Sequence, residues 1–149
     1  MALLLAMVAL LVTLVASVAP ATPVAARGQK AIVVSISQQM LWAYKGNKLM
    51  LRSSVSSGRS GFDTPVGSYV ILTKHASQTM EGVVGGEYYN VPDVPNVMYF
   101  TTDGHALHGT YWHTNFGTPM SHGCVNLPID VAAWVFAWAP IGTPLLIVP

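Results

Sequence analysis

The sequence predicts a mainly β domain carrying one packed helix, and three observations lead there. Short runs rich in β-branched and aromatic residues recur along the chain, separated by turn-forming residues. Only one segment, near the C-terminus, places apolar residues at helical spacing. All seven basic and six acidic side chains lie from Arg27 onward, and residues 27–149 contain no second apolar run of membrane length. That span suits one domain with its own core.

Residues 1–26 carry no charged side chain, and Met1 to Ala19 is nearly all Leu, Val, Ala and Met. They are expected to be an export signal, with small residues at Val24-Ala25-Ala26 for cleavage, or an uncleaved membrane anchor. Ala31–Ile36 and Met40–Tyr44 read as strands. Lys45-Gly46-Asn47-Lys48 is a two-residue hairpin signal leading into a third, Leu49–Val55. After the turn-rich Ser56–Gly61 and Thr64-Pro65-Val66-Gly67, Ser68–Thr73 reads as a strand. The stretch 74–95, with Gly82, Gly85, Gly86 and Pro92, reads as an irregular surface lid or binding loop. Asn96–Phe100 and His105–Thr110 are strands about the Asp103-Gly104 turn. A helix is expected from Pro128, with Asp130 in its first turn and Val131, Trp134, Val135 and Trp138 forming its apolar face. Pro140 and Gly142 stop it, and Leu145–Val148 is the last strand.

A net charge of +1 gives no electrostatic footprint for nucleic acid or an anionic membrane surface. The single cysteine excludes an internal disulfide and any zinc site built from several thiolates. In an exported protein that thiol is buried filler, an intermolecular bridge or a reactive group. The small, polar Ser121-His122-Gly123-Cys124 is a poor setting for filler. Its place just ahead of the expected helix suggests unpaired N–H groups that favour a thiolate and hold an oxyanion. A thiol nucleophile needs a base, usually histidine. His108, next to Gly109 in a strand, is the choice; His75 and His113 read as surface or structural residues. His122 shares the cysteine's own turn. On one strand, His105 and His108 would point to opposite faces, which disfavours a metal site. No cofactor is expected.

His108-Gly109-Thr110 followed by Ser121-His122-Gly123-Cys124-Val125-Asn126 resembles the active-site signature of the L,D-transpeptidase (YkuD-type) catalytic domain. Upstream, Ile32-Val33-Val34, Gln38-Gln39-Met40-Leu41, Val55-Ser56-Ser57-Gly58 and Asp63-Thr64-Pro65-Val66-Gly67 resemble the family's N-terminal half in the same order. The resemblance spans residues 31–149. It implies a β-sandwich or barrel-like fold, with one helix following the cysteine turn, in a catalytic domain over 27–149. It also implies a cysteine acyltransferase that acts on peptidoglycan stem peptides as donor and acceptor, in the cell envelope. Such an enzyme expels a terminal D-alanine, holds a thioester and forms a 3→3 cross-link.

By the same resemblance Cys124 is the nucleophile and His108 the base, oriented by the carbonyl of Gly109. The N–H groups of His122, Gly123 and Cys124 would form the oxyanion hole. Ser121 and Asn126 would brace the turn or touch substrate. Many members carry Arg at the position of Asn126, and Arg59 and Lys74 are the candidates to replace that charge. Tyr88 and Tyr89 would belong to a lid. Replacing His113 is expected to spare acylation. A carboxypeptidase using the same thioester, and a non-catalytic wall-binding module, are the rival readings. Nothing in the chain specifies an oligomeric state.

Overall fold

In β1 (Lys30–Ser35) Ile32 and Val34 are fully buried, and in β2 (Met40–Lys45) Leu41 and Ala43 are. This period of two is that of a sheet with one face in the core. The computed structural model describes residues 28–149, so the expected export or anchor segment lies outside the described residues. β2 turns through Gly46-Asn47 into β3 (Lys48–Ser54), with Gly46 at a φ of 57° that suits glycine.

After β4 (Gly67–Val70), the expected strand Ser68–Thr73 is interrupted. Ile71 N–H bonds to Thr143 O, whereas Leu72 N–H bonds to Tyr99 O. Successive residues thus join different sheets, and a new strand, β5 (Thr73–Val84), begins. It pairs antiparallel with β6 (Glu87–Tyr99) from Thr73↔Tyr99 to Val84↔Glu87.

This long hairpin corrects the expectation of an irregular stretch over 74–95. The sequence conceals it because β5 buries only Met80, leaving no apolar alternation to read. Pro92 and Pro95 are tolerated because β7 (Ala106–Gly109) pairs with β6 only at Met98 and Tyr99, so the outer part of β6 has a free edge.

β7 pairs parallel with β8 (Val125–Leu127), which is followed by α1 (Ile129–Trp138) and β9 (Pro144–Val148). Two sheets result, ordered β3-β2-β1-β9-β4 and β5-β6-β7-β8. Ile32, Val34, Leu41, Leu145 and Ile147 of the first meet Met98, Leu107, Val125 and Leu127 of the second, with Ala132 and Val135 of α1, in one core. The mainly β sandwich-like class with one helix after the cysteine turn therefore holds; the short β8 and Pro128 lie between Cys124 and α1. The buried face of α1 is centred on Ala132 and Val135, while Trp134 and Trp138 stack at 5.2 Å on the rim. No helix among the described residues is long and apolar enough to cross a membrane.

Candidate active site

Strand register alone assembles the centre of the site. In the β7–β8 ladder Leu107 lies beside Val125 and His108 beside Asn126. Paired residues share a face, so Leu107 and Val125 enter the core while His108 and Asn126 point the other way. Cys124, two residues before Asn126, is on that second face. All three side chains line one cavity of about 250 Å³. Gly109, at the end of β7, is required by close packing: a Cβ there would lie 2.9 Å from Pro95 Cγ and 3.3 Å from Ala132 Cβ.

His108 is buried, and its Nδ1 lies 3.0 Å from the carbonyl oxygen of Gly109. A carbonyl only accepts, so Nδ1 carries the proton and the Nε2 lone pair is left free to accept one. Burial lowers the imidazole pKa to about 4; the Gly109 bond opposes that shift and nearby His113 adds to it. Burial likewise pushes the Cys124 thiol up to about 11, against a hydrogen bond from the Ala106 backbone. The resting pair is therefore neutral thiol and neutral imidazole. Burial opposes the thiolate expected near a helix N-terminus, and β8 and Pro128 stand between Cys124 and α1 in the chain.

The turn that presents Cys124 is braced by side chains from distant parts of the chain. Ser121 Oγ donates to Cys124 O at 2.5 Å and accepts Gly123 N–H at 3.0 Å. Thr64 Oγ1 accepts Gly58 N–H and donates to Gly123 O, both at 2.8 Å. Gln39 holds Ser57 through two hydrogen bonds, and Ser57 O in turn accepts the N–H groups of Met120 and Ser121. Gly123 N–H is thus engaged by Ser121, which corrects the three-donor oxyanion hole. Among the described residues, the N–H groups of His122 and Cys124 have no hydrogen-bond acceptor.

Comparisons with known proteins identify the family. The family model of the YkuD L,D-transpeptidase catalytic domain matches residues 29–147. The chain belongs to that family. It is 28% identical over 123 residues to L,D-transpeptidase 1 of Mycobacterium tuberculosis, covering 78% of this chain and 49% of that one. An L,D-transpeptidase structure from Mycobacterium smegmatis superposes with a TM-score of 0.76 at 25% identity, covering 81% of this chain and 59% of the other. A structure of LD transpeptidase LdtMt1 in complex with imipenem gives 0.75 at 26% identity, covering 80% and 58%. The chain spans about half the length of the curated relatives it matches.

In this L,D-transpeptidase domain the β5–β6 hairpin covers one side of the cavity. Tyr89 lines the cavity and stacks on His122 at 5.5 Å, whereas Tyr88 is exposed and donates to Glu81 across the hairpin. Only Tyr89 of the expected pair therefore reaches the site. The hairpin tip is fastened to the body: Glu87 Oε2 takes Arg59 Nη2 at 2.5 Å and lies 3.1 Å from His122 Nε2. Hydrogen bonds from His122 and Arg59 hold the Glu87 carboxyl below its ordinary range. Arg59 is thereby placed beside His122. Lys74 is not near the cavity, because its ammonium caps the C-terminal carbonyls of α1 at Phe136 and Ala139.

Several residues lining this cavity or touching its members carried no functional signal in the sequence. His105 lies in the turn before β7 rather than on it, so it lines the same cavity as His108, contrary to the opposite-face expectation. Trp112 packs its ring 5.7 Å from that of His108. His113 reaches the Asn126 side chain at 2.9 Å. Thr64 was legible only as part of a motif; its reach to Gly123 spans 59 positions and no local pattern reveals it.

Proposed function

We propose that residues 27–149 form a cysteine acyltransferase that cross-links peptidoglycan stem peptides in the cell envelope, with residues 1–26 directing export or anchoring the chain. The observation that carries this reading is the shared face of Cys124, Asn126 and His108 in one cavity, with Nδ1 of His108 committed to Gly109.

Because the resting pair is neutral, proton transfer accompanies attack. Cys124 Sγ adds to the carbonyl that follows the diamino acid of a tetrapeptide stem while His108 Nε2 takes the thiol proton. The N–H groups of His122 and Cys124 receive the oxyanion, each such donor contributing about 3 kcal/mol. The C–N bond then breaks, His108 returns the proton to the departing D-alanine amine, and a thioester remains. The amine of a neighbouring stem attacks the thioester, and His108 accepts its proton. The new amide is the 3→3 link, and the proton passes back to Cys124. The hairpin over residues 73–99 and Trp112 limit the access of water, which would otherwise hydrolyse the thioester.

Pure protein incubated with a tetrapeptide donor and an amine acceptor is expected to release D-alanine and a joined product, both detected by mass spectrometry. Release without joining would replace the transferase by a carboxypeptidase. Binding to wall peptide with no release, unchanged in Cys124→Ala, would identify a non-catalytic module. Since one relative has been solved in complex with imipenem, an imipenem adduct mapped to Cys124 is the companion measurement.

A further inference from the structure

The turn between β6 and β7 is closed by a side chain. The N–H groups of Phe100 and Thr101 donate to the carbonyl of His105 at 2.9 and 3.4 Å. In return the N–H of His105 donates to Thr101 Oγ1 at 3.0 Å, where an antiparallel pair would use the main-chain oxygen of Phe100. The same hydroxyl lies 3.1 Å from Nδ1 of the His105 ring, so Thr101 holds His105 by main chain and ring together. That ring is set against the turn carrying the cysteine: a Cβ on Gly123 would lie 2.9 Å from its Nε2.

The peptide groups on both sides of His105 reach the sulfur. The thiol of Cys124, a weak donor, points its S–H at the carbonyl of Gly104 across 3.7 Å, and Sγ takes a hydrogen bond from the Ala106 backbone. Their anchorage differs. Ala106 belongs to β7 and is paired with Tyr99, so the ladder fixes its N–H. Gly104 lies in the turn at a φ of 98°. Its carbonyl and the N–H of His105 are the two ends of one planar peptide group and point in opposite directions. Thr101 therefore grips one end of that peptide while the Cys124 thiol binds the other.

We propose that Thr101 is a positioning residue for the nucleophile: it fixes the plane of the Gly104–His105 peptide and thereby aims the carbonyl that holds the Cys124 thiol. This rests on the reading of Cys124 as nucleophile. The sulfur is kept in one place until its proton swings from Gly104 O to Nε2 of His108 and attack begins. A bond to the carbonyl favours the protonated thiol, whereas the N–H of Ala106 favours the thiolate. Loss of the Thr101 hydroxyl frees the carbonyl alone, so the thiol becomes more acidic.

The chain has a single cysteine, so selective ¹³Cβ labelling gives one resonance that follows its ionisation. Tyr89 and Tyr99 of β6, Asp103 and His105 of the turn, His108 of β7 and His122 are the titratable groups about the sulfur. Substitution at Thr101 leaves all of them in the chain. Thr101→Val keeps the branched shape and removes the hydroxyl, whereas Thr101→Ser keeps the hydroxyl. At pH 10 the wild type is expected to be mainly thiol and Thr101→Val about half thiolate, a midpoint lower by about one pH unit. Thr101→Ser is expected to match the wild type. Imipenem adduct formation at pH 7 is expected to slow about tenfold in Thr101→Val and to recover in Thr101→Ser, because the variant sulfur is no longer held in one place.

An unchanged midpoint in Thr101→Val overturns the proposal, as does an adduct rate within about threefold of wild type. A Thr101→Ser as altered as Thr101→Val overturns it too, since the hydroxyl would then not be the grip. Should Thr101→Val not fold, the wild type decides: a midpoint at the ordinary value of about 9 overturns the proposal, because a buried thiol bonded to a carbonyl ionises above it. A wild type that forms no imipenem adduct overturns the reading of Cys124 as nucleophile, and the midpoints then decide whether Thr101 aims Gly104.

Discussion

Asn126 stands beside His108 across the parallel β7–β8 pair, so the amide and the imidazole project from one face of the sheet. Cys124 joins them because it precedes Asn126 by two residues. The site therefore depends on register: a slip of one residue would send Cys124 and Asn126 into the core and bring Val125 to the cavity.

The neutral resting state of Cys124 and His108 has a kinetic signature. With the thiol at about 11 and the imidazole at about 4, neither group changes protonation between pH 6 and 9, taken here as a working range well inside those limits. The rate of imipenem adduct formation, followed by intact mass, is expected to be flat across that range and absent in Cys124→Ala. A bell-shaped profile within it would point to a preformed thiolate–imidazolium pair.

Removing His108, the proposed base, is expected to slow the same reaction by about 10²- to 10⁴-fold, the usual contribution of a positioned base. His108→Gln is the variant, with adduct formation as the measurement. A rate within threefold of wild type, itself an order-of-magnitude criterion, would mean that the proton leaves the thiol by another route.

His108 also links stability to pH. Its folded pKa is lowered to about 4 from the ordinary 6.5, by burial above all. Between those values the unfolded chain binds a proton that the native state does not, so stability falls as pH drops from 6.5 toward 4. The full loss from this one group is about 3 kcal/mol, and it disappears above 6.5, where both states are neutral. His105 and His113 are shifted in the same direction by burial and add to the slope. Urea denaturation at pH 5 and pH 7.5 is expected to show a smaller difference for His108→Gln than for wild type.

Glu87 fastens the hairpin tip to Arg59 and His122, and Phe62 packs against Gly85 beside it. In Glu87→Gln the charge that holds both partners is lost. Amide hydrogen exchange over residues 82–89 is expected to quicken, while exchange in β1 and β9 stays unchanged. Equal protection in the variant would mean that the aromatic contacts alone secure the tip.

No basic residue lies in the last turn of α1, and the helix is capped from outside. Lys74 donates to the carbonyls of Phe136 and Ala139, and Lys30 donates to that of Trp138 at 2.6 Å. Both ammonium groups sit at the negative end of the helix dipole. Lys74→Met keeps most of the side-chain bulk and is expected to cost about 1–2 kcal/mol, or roughly 3–8 °C in Tm. Calorimetry gives the value, and an unchanged Tm would show that water replaces the ammonium without loss.

Much of the fold is legible where local chemistry decides it. The Gly46-Asn47 turn, the alternation in β1 and β2, and the stop at Pro140 are read from neighbouring residues, and the structure agrees. The β5–β6 hairpin is not legible, because its exposed strand has polar residues on both sides and its glycines and prolines imitate a loop. Its regularity comes from cross-strand pairing, which no single window contains. The site divides in the same way: Cys124 and His108 stand out by residue type, whereas Thr64, Glu87 and His113 acquire meaning only through partners far along the chain.

By itself the sequence determined the mainly β class, the single helix and the family, because these rest on periodicity, turn chemistry and short motifs in a fixed order. The tertiary structure decided what those residues are electrostatically and whom they touch. Burial makes the cysteine–histidine pair neutral rather than ionic, and Ser121 removes Gly123 N–H from the oxyanion donors. Desolvation and hydrogen-bond competition are set by atoms brought together from distant positions, so only the folded chain fixes them.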